Sequence, residues 1–210
     1  MRKGSLIGAN GLLISLLLVA MQAVPASAAP VRFGAKLSNT SQPTGAESCD
    51  QNSGIPNHAT CTWVALSAFE NGDHFRAPKD GTIGKVRLIT CAPGVFTLQL
   101  ARVKPLLHRA KVVRNGPVIH YAADPRAVDN NPDTFCGGDN GDDYIIQGFP
   151  VTVHVNQGDY IAIAARKPGF IHNSGGGPQL LFSPPLSPGG NFQTADGDSS
   201  ADLMLQLQYR

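Results

Sequence analysis

The chain reads as an all-β protein: an antiparallel β-sandwich, jelly-roll-like, with about eight to ten strands and two disulfides. Three observations predict this class. The 23 Gly and 16 Pro are spread through 210 residues and interrupt the chain every ~8–15 residues, the rhythm of short strands joined by turns. Apolar and polar residues alternate along several segments, which gives a sheet one dry face and one wet face. Four cysteines, an even number, suit an exported domain stapled by disulfides.

Export is read from the N-terminus. Arg2 and Lys3 precede an apolar run of 10 residues, Leu12 to Met21, and Ala26-Ser27-Ala28 sets small residues where a signal peptidase reads. Crossing the hydrocarbon core takes about 20 apolar residues, so the run is too short for a transmembrane helix. Residues 1–28 are expected to be a signal peptide, 29–48 a flexible N-terminal lead-in, and 49–210 a single domain. The expected location is secreted and extracellular, with no membrane insertion of the mature chain. Cleavage removes 28 of 210 residues and leaves 182, enough for one real core. It also removes Arg2 and Lys3 and no acid, so 17 Lys+Arg against 15 Asp+Glu becomes 15 against 15. With the net charge cancelled, no overall field draws nucleic acid, which is excluded as an expected partner.

The elements follow in order. Val31 to Lys36 is an edge strand within the polar lead-in. Thr60 to Phe69 is the first strong strand, with Trp63 buried. Lys79-Asp80-Gly81 is a turn signal before Thr82 to Thr90, where Val86 and Leu88 oppose Lys85 and Arg87. Ala92-Pro93-Gly94 turns the chain into Val95 to Val103, with Phe96, Leu98 and Leu100 inward. Lys111 to Arg114 and Val118 to Ala122 read as two short strands around an Asn115-Gly116 turn. Val151, Val153 and Val155 alternate with Thr152, His154 and Asn156. The turn Asn156-Gln157-Gly158-Asp159 then returns the chain through Ile161, Ile163 and Ala165, a hairpin. Gln179 to Ser183 and Ala201 to Tyr209 complete the count.

Of the three possible cysteine pairings, Cys49–Cys61 and Cys91–Cys136 are favoured. The first closes a polar, Asn- and Gly-rich loop, and the second pins a long excursion to a strand end. No C-x-x-C pair or close Cys/His cluster points to zinc.

Two phrases carry a family resemblance: Ala77-Pro78-Lys79-Asp80-Gly81-Thr82-Ile83, and Val153-His154-Val155-Asn156-Gln157-Gly158-Asp159-Tyr160-Ile161-Ala162-Ile163. Together they resemble a pattern in uncharacterised secreted actinobacterial β-sandwich proteins. The resemblance spans about residues 60–165. It implies the fold only and carries over no site residue.

Two acidic stretches are candidate sites. Calcium takes six to eight oxygen ligands, and Asp129, Asn131, Asp133, Asp139, Asp142 and Asp143 supply a dense set of them. The spacing is not that of an EF-hand, since Thr134 stands in place of the turn glycine and Asn140 in place of the bidentate glutamate. Asp196, Asp198 and Asp202 form the second cluster, just before the last strand. Ca²⁺ is the one cofactor these residues suggest; no other is expected. No two of His58, His74, His108, His120, His154 and His172 have a metal-pair spacing. No catalytic residue is assigned. There is no G-x-S-x-G elbow, and Ser174 sits before three glycines in what reads as a loop. Trp63 reads as core, leaving Tyr121, Tyr144 and Tyr160 as thin provision for glycan stacking. Arg102, Lys104, His108, Arg109, Lys111 and Arg114 form the one local basic run.

The expected function is a secreted, non-enzymatic extracellular binding or surface-associated module, Ca²⁺-stabilised if the acidic loop binds metal. Its expected partner is an extracellular ligand, namely a wall polymer, glycan or protein. The alternatives are a secreted hydrolase or lyase acting on polysaccharide, and an inhibitor or toxin-like protein-interaction module.

Overall fold

The computed structural model describes residues 29–37, 48–49, 55, 59–66, 75–124, 145–172 and 179–210. In chain order the strands are β1 (Arg32–Gly34), β2 (Cys61–Ala65), β3 (Gly81–Leu88), β4 (Gly94–Lys104), β5 (Arg109–Tyr121), β6 (Gln147–Val155), β7 (Tyr160–Ala165), β8 (Ile171–His172), β9 (Gln179–Phe182), β10 (Gln193–Thr194), β11 (Gly197–Ser199), β12 (Asp202–Leu203) and β13 (Leu205–Tyr209). All pairings are antiparallel. A four-stranded sheet has the order β1-β13-β3-β6, a seven-stranded sheet the order β10-β5-β4-β7-β2-β9-β11, and β12-β8 is a separate ribbon. The all-β, antiparallel expectation therefore holds.

The two sheets share one core. Phe33, Ile83, Val86, Leu88, Val153, Leu205 and Leu207 of the four-stranded sheet pack in one cluster with Trp63, Phe96, Leu98, Leu100, Ile161 and Ile163 of the seven-stranded sheet. Each such side chain, fully buried, contributes about 1.5–3 kcal/mol of transfer free energy. Trp63 is buried as expected, and its indole N–H donates to the Ala165 carbonyl at 3.0 Å. Cys49 and Cys61 form the expected disulfide, with Cα atoms 6.2 Å apart. Cys91 is buried at the end of β3, while Cys136 lies outside the described residues.

Three expectations are corrected. The segments flanking Asn156–Asp159 are not a hairpin of one sheet: β6 pairs with β3, whereas β7 pairs with β2 and β4 in the other sheet. The turn is a crossover between layers. Ala77 hooks it by donating its N–H to the Asp159 carbonyl and accepting from Gly158 N–H. Lys111–Arg114 and Val118–Ala122 are not separate strands but one continuous β5. Asn115-Gly116-Pro117 is a bulge in it, because Thr97 faces Val118 and Gln99 faces Asn115, leaving two residues of β5 against Leu98 alone. A Cβ on Gly116 would lie 3.1 Å from both Leu98 Cδ2 and Val153 Cγ2, so glycine lets the layers approach there. The last segment, Ala201 to Tyr209, is broken at Met204 into β12 and β13.

The seven-stranded sheet has a second dry face that the alternation did not show. Val64, Ala101, Ala110, Val112, Ala162, Leu180 and Phe182 pack there around Leu186. Small residues leave room for the 183–196 segment to cross them. Its polar anchors are buried: Thr62 Oγ1 donates to Gln99 Oε1 at 2.8 Å and accepts from Leu186 N–H at 2.9 Å, and Gln99 Nε2 donates to the Leu186 carbonyl at 3.1 Å. The strap ends in β10 on one sheet edge and continues into β11 on the other, with Ala195 and Asp196 between them. Three residue steps reach at most about 10 Å, so the sheet curls until its edges nearly meet.

Candidate functional site: a basic sheet face and its edge cleft

The four-stranded sheet presents its outward positions to solvent. Inward residues are Ile83, Val86 and Leu88 on β3, Val151, Val153 and Val155 on β6, and Leu205, Leu207 and Tyr209 on β13. The alternate positions carry Arg32 on β1, Lys85 and Arg87 on β3, His154 on β6 and, just past β13, Arg210. None of the four strands contains Asp or Glu. Register brings the cations together: Arg32 lies opposite Gln208, which lies opposite Lys85, and Gln206 lies opposite Arg87. Glutamine amides hold the guanidinium groups in place of carboxylates. Arg32 Nε donates to Gln208 Oε1 at 3.3 Å, and Arg87 donates to Gln206 Oε1 at 2.6 Å. Burial, and then the neighbouring charge of Arg32, lower the Arg87 pKa below its ordinary value.

At the sheet's edge this face opens into a cleft of about 520 Å³. Among the described residues, one wall is β6, which pairs with β3 alone, and the other is β5, which beyond Ala110 pairs with β4 alone. Pro117 and Pro150 stand on these two edges. A proline has no N–H to give to an added strand, so both edges resist strand addition. Recognition in the cleft falls to side chains: Arg114, Asn115, Thr152, His154 and Arg210. No Asp or Glu lines it among the described residues. Arg210 donates to Thr152 Oγ1 at 2.6 Å. A Cβ on Gly84 would lie 2.5 Å from Arg210 Cγ, so that glycine gives the side chain its seat. Asn115 Oδ1 accepts from Gln99 Nε2 at 2.9 Å, which leaves its own Nδ2 as a donor. The arrangement can neutralise and hydrogen-bond an anion.

The residues singled out from sequence fall elsewhere. Asp129, Asn131, Asp133, Asp139, Asp142 and Asp143 lie outside the described residues, as do Tyr144 and Ser174. The neck of that loop is described and closed: the buried Asp124 carboxylate accepts from Ile145 N–H at 2.5 Å, and Gln147 Nε2 donates to the Ala122 carbonyl at 2.7 Å. Asp196 accepts from Ser183 N–H at 2.7 Å and fastens the strap, Asp198 is exposed on β11, and Asp202 is buried on β12. Among the described residues no three of His, Cys, Asp and Glu gather closely enough to hold a metal ion. Tyr121 is no platform: it is buried, and its hydroxyl accepts from Gly169 N–H at 3.0 Å. Of the basic run, Arg102 pairs with Asp159 at 2.6 Å and Arg109 donates to the Phe192 carbonyl at 2.7 Å. Only Arg114 of that run reaches the cleft. Arg32, Lys85, Arg87 and Arg210 escaped the sequence reading. The available signal was the lack of any acid in Gly81–Leu88, Gln147–Val155 and Leu205–Tyr209.

No family model matches the chain, and neither a curated protein nor a solved structure matches it.

Proposed function

We propose that this is a secreted, non-enzymatic binding module that holds an anionic extracellular polymer against the basic sheet face and in its edge cleft. The observation that carries this reading is the segregation of charge: Arg32, Lys85, Arg87, Arg114, His154 and Arg210 line a surface whose four strands hold no carboxylate. In a chain with 15 acids and 17 bases, such a face attracts phosphodiester, sulfate or carboxylate groups. The Cys49–Cys61 disulfide and the signal-like N-terminus support the extracellular setting.

Two finer features belong to the same reading. The second disulfide is Cys91–Cys136, the pairing left once Cys49 has taken Cys61. The topology is a jelly roll: the orders β1-β13-β3-β6 and β2-β7-β4-β5 support it, since from β1 to β7 the chain crosses between layers at every step except the β4–β5 hairpin.

Retention of the protein on immobilised phosphodiester polymers, carboxylated glycans and neutral glycans tests the function. The expected result is retention on the anionic supports alone, released by salt. Equal retention on neutral glycans would overturn it. Release of reducing ends from a polysaccharide panel would replace it with the hydrolase or lyase reading.

A further inference from the structure

The long β4–β5 hairpin carries a second feature. Its tip is the turn Pro105–Leu107, closed by His108, which adopts the left-handed conformation at φ 47° and donates its N–H to the Pro105 carbonyl. Histidine is among the non-glycine residues that enter this region most readily, so the turn closes locally. Leu106 is 96% exposed and Leu107 59% exposed. β7 begins at Tyr160, opposite Ala101, so residues 102–104 and their partners run on beyond it.

The stem below the tip is a stack of cations. Arg102 pairs across the hairpin with Lys111, and Lys104 with Arg109. Directly opposed like charges destabilise a ladder, and alternate residues share a face, so four positive charges stand together at a cost. Aromatic contact offsets part of it: Lys104 Nζ lies 4.6 Å and Lys111 Nζ 5.1 Å from the Phe192 ring centre. Only Arg102 has a carboxylate partner in a described ion pair, Asp159. No Asp or Glu occurs from Gly94 to Ala123.

We propose that this tip docks on an anionic lipid bilayer, with Leu106 and Leu107 entering the apolar boundary and Lys104, Arg109 and Lys111 meeting the headgroups. The spacing fits: the Lys104–Arg109 and Arg102–Lys111 pairs lie about 3–10 Å down the stem at a strand rise of ~3.3 Å per residue, comparable to the ~5–10 Å depth of interfacial insertion. A convex tip of two leucines offers far less area than the ~800 Å² per partner of a standard protein interface. A fluid apolar phase needs no such shape match, and an anionic surface complements the collar. This contact is separate from the cleft and stands or falls independently of it.

Co-sedimentation with phosphatidylcholine vesicles, and with vesicles containing phosphatidylglycerol, tests the proposal. The expected result is binding to the anionic vesicles, weakened about tenfold or more in a Leu106→Ser/Leu107→Ser variant. A Leu106→Trp variant should show a blue-shifted emission on anionic vesicles and none on a soluble phosphodiester polymer. Equal binding to both vesicle types, no binding to either, or full binding by the double-serine variant would overturn it.

Discussion

Gly34 shows how one residue can decide a sheet edge. It has φ +104°, a region open to glycine, and a Cβ there would lie 2.5 Å from the Leu205 carbonyl oxygen and 2.9 Å from Ile161 Cδ1. Gly34→Ala adds backbone strain to a collision with the neighbouring strand. We predict a loss of about 2–4 kcal/mol in urea unfolding. Two phenols make a pH prediction. Burial raises the Tyr121 and Tyr209 pKa above the ordinary 10.0, outweighing the hydrogen bonds to Gly169 and Lys79. The folded chain holds these protons more tightly than the unfolded chain does. Their contribution is therefore complete below pH 10 and is lost as pH rises through the raised folded values. Melting temperature should fall across that alkaline range, and less steeply in Tyr121→Phe. A slope identical in the variant would contradict the assignment.

At the scale of elements, the disulfide spans 12 positions and ties Cys49 to the start of β2. β2 is central in its sheet, between β7 and β9. Replacing both cysteines with serine should lower stability by about 2–3 kcal/mol, read from the denaturant midpoint, chiefly by freeing the unfolded chain. Which strands exist was largely legible from alternation: Val151, Val153 and Val155 are buried while Thr152 and His154 are exposed, as their spacing requires. Partnership was not legible. Alternation is a local signal, and the two arms beside Asn156–Asp159 have the same period whether they pair with each other or with distant strands. The bulge at Asn115–Pro117 was misread as a turn for a related reason: Asn-Gly signals a turn unless tertiary packing pulls the strand straight. Leu186 under its strap was invisible because Pro-rich segments read as surface loops.

Across the whole molecule, composition conceals the site. With 17 Lys+Arg against 15 Asp+Glu the chain is nearly neutral, yet the four strands of one sheet carry Arg32, Lys85, Arg87 and His154 and no acid. Arg32, Lys85, His154 and Arg210 are far apart in the chain and become neighbours only through strand order. The clusters visible along the chain lie elsewhere: Asp196 fastens the strap, Asp129 to Asp143 fall outside the described residues, and of the basic run only Arg114 reaches the cleft. The central claim, that the basic face and cleft bind polyanions, implies screening. Exposed charges lose their reach as the Debye length shrinks from about 10 Å at 0.1 M salt to about 3 Å at 1 M. The most direct measurement is calorimetric titration of a phosphodiester polymer into the wild type and into an Arg114→Gln/Arg210→Gln variant, at low and high salt. The account predicts affinity that falls with salt, is weakened about tenfold in the variant, and comes with an unchanged melting temperature. A variant that binds as the wild type does, or a wild type indifferent to salt, would contradict it.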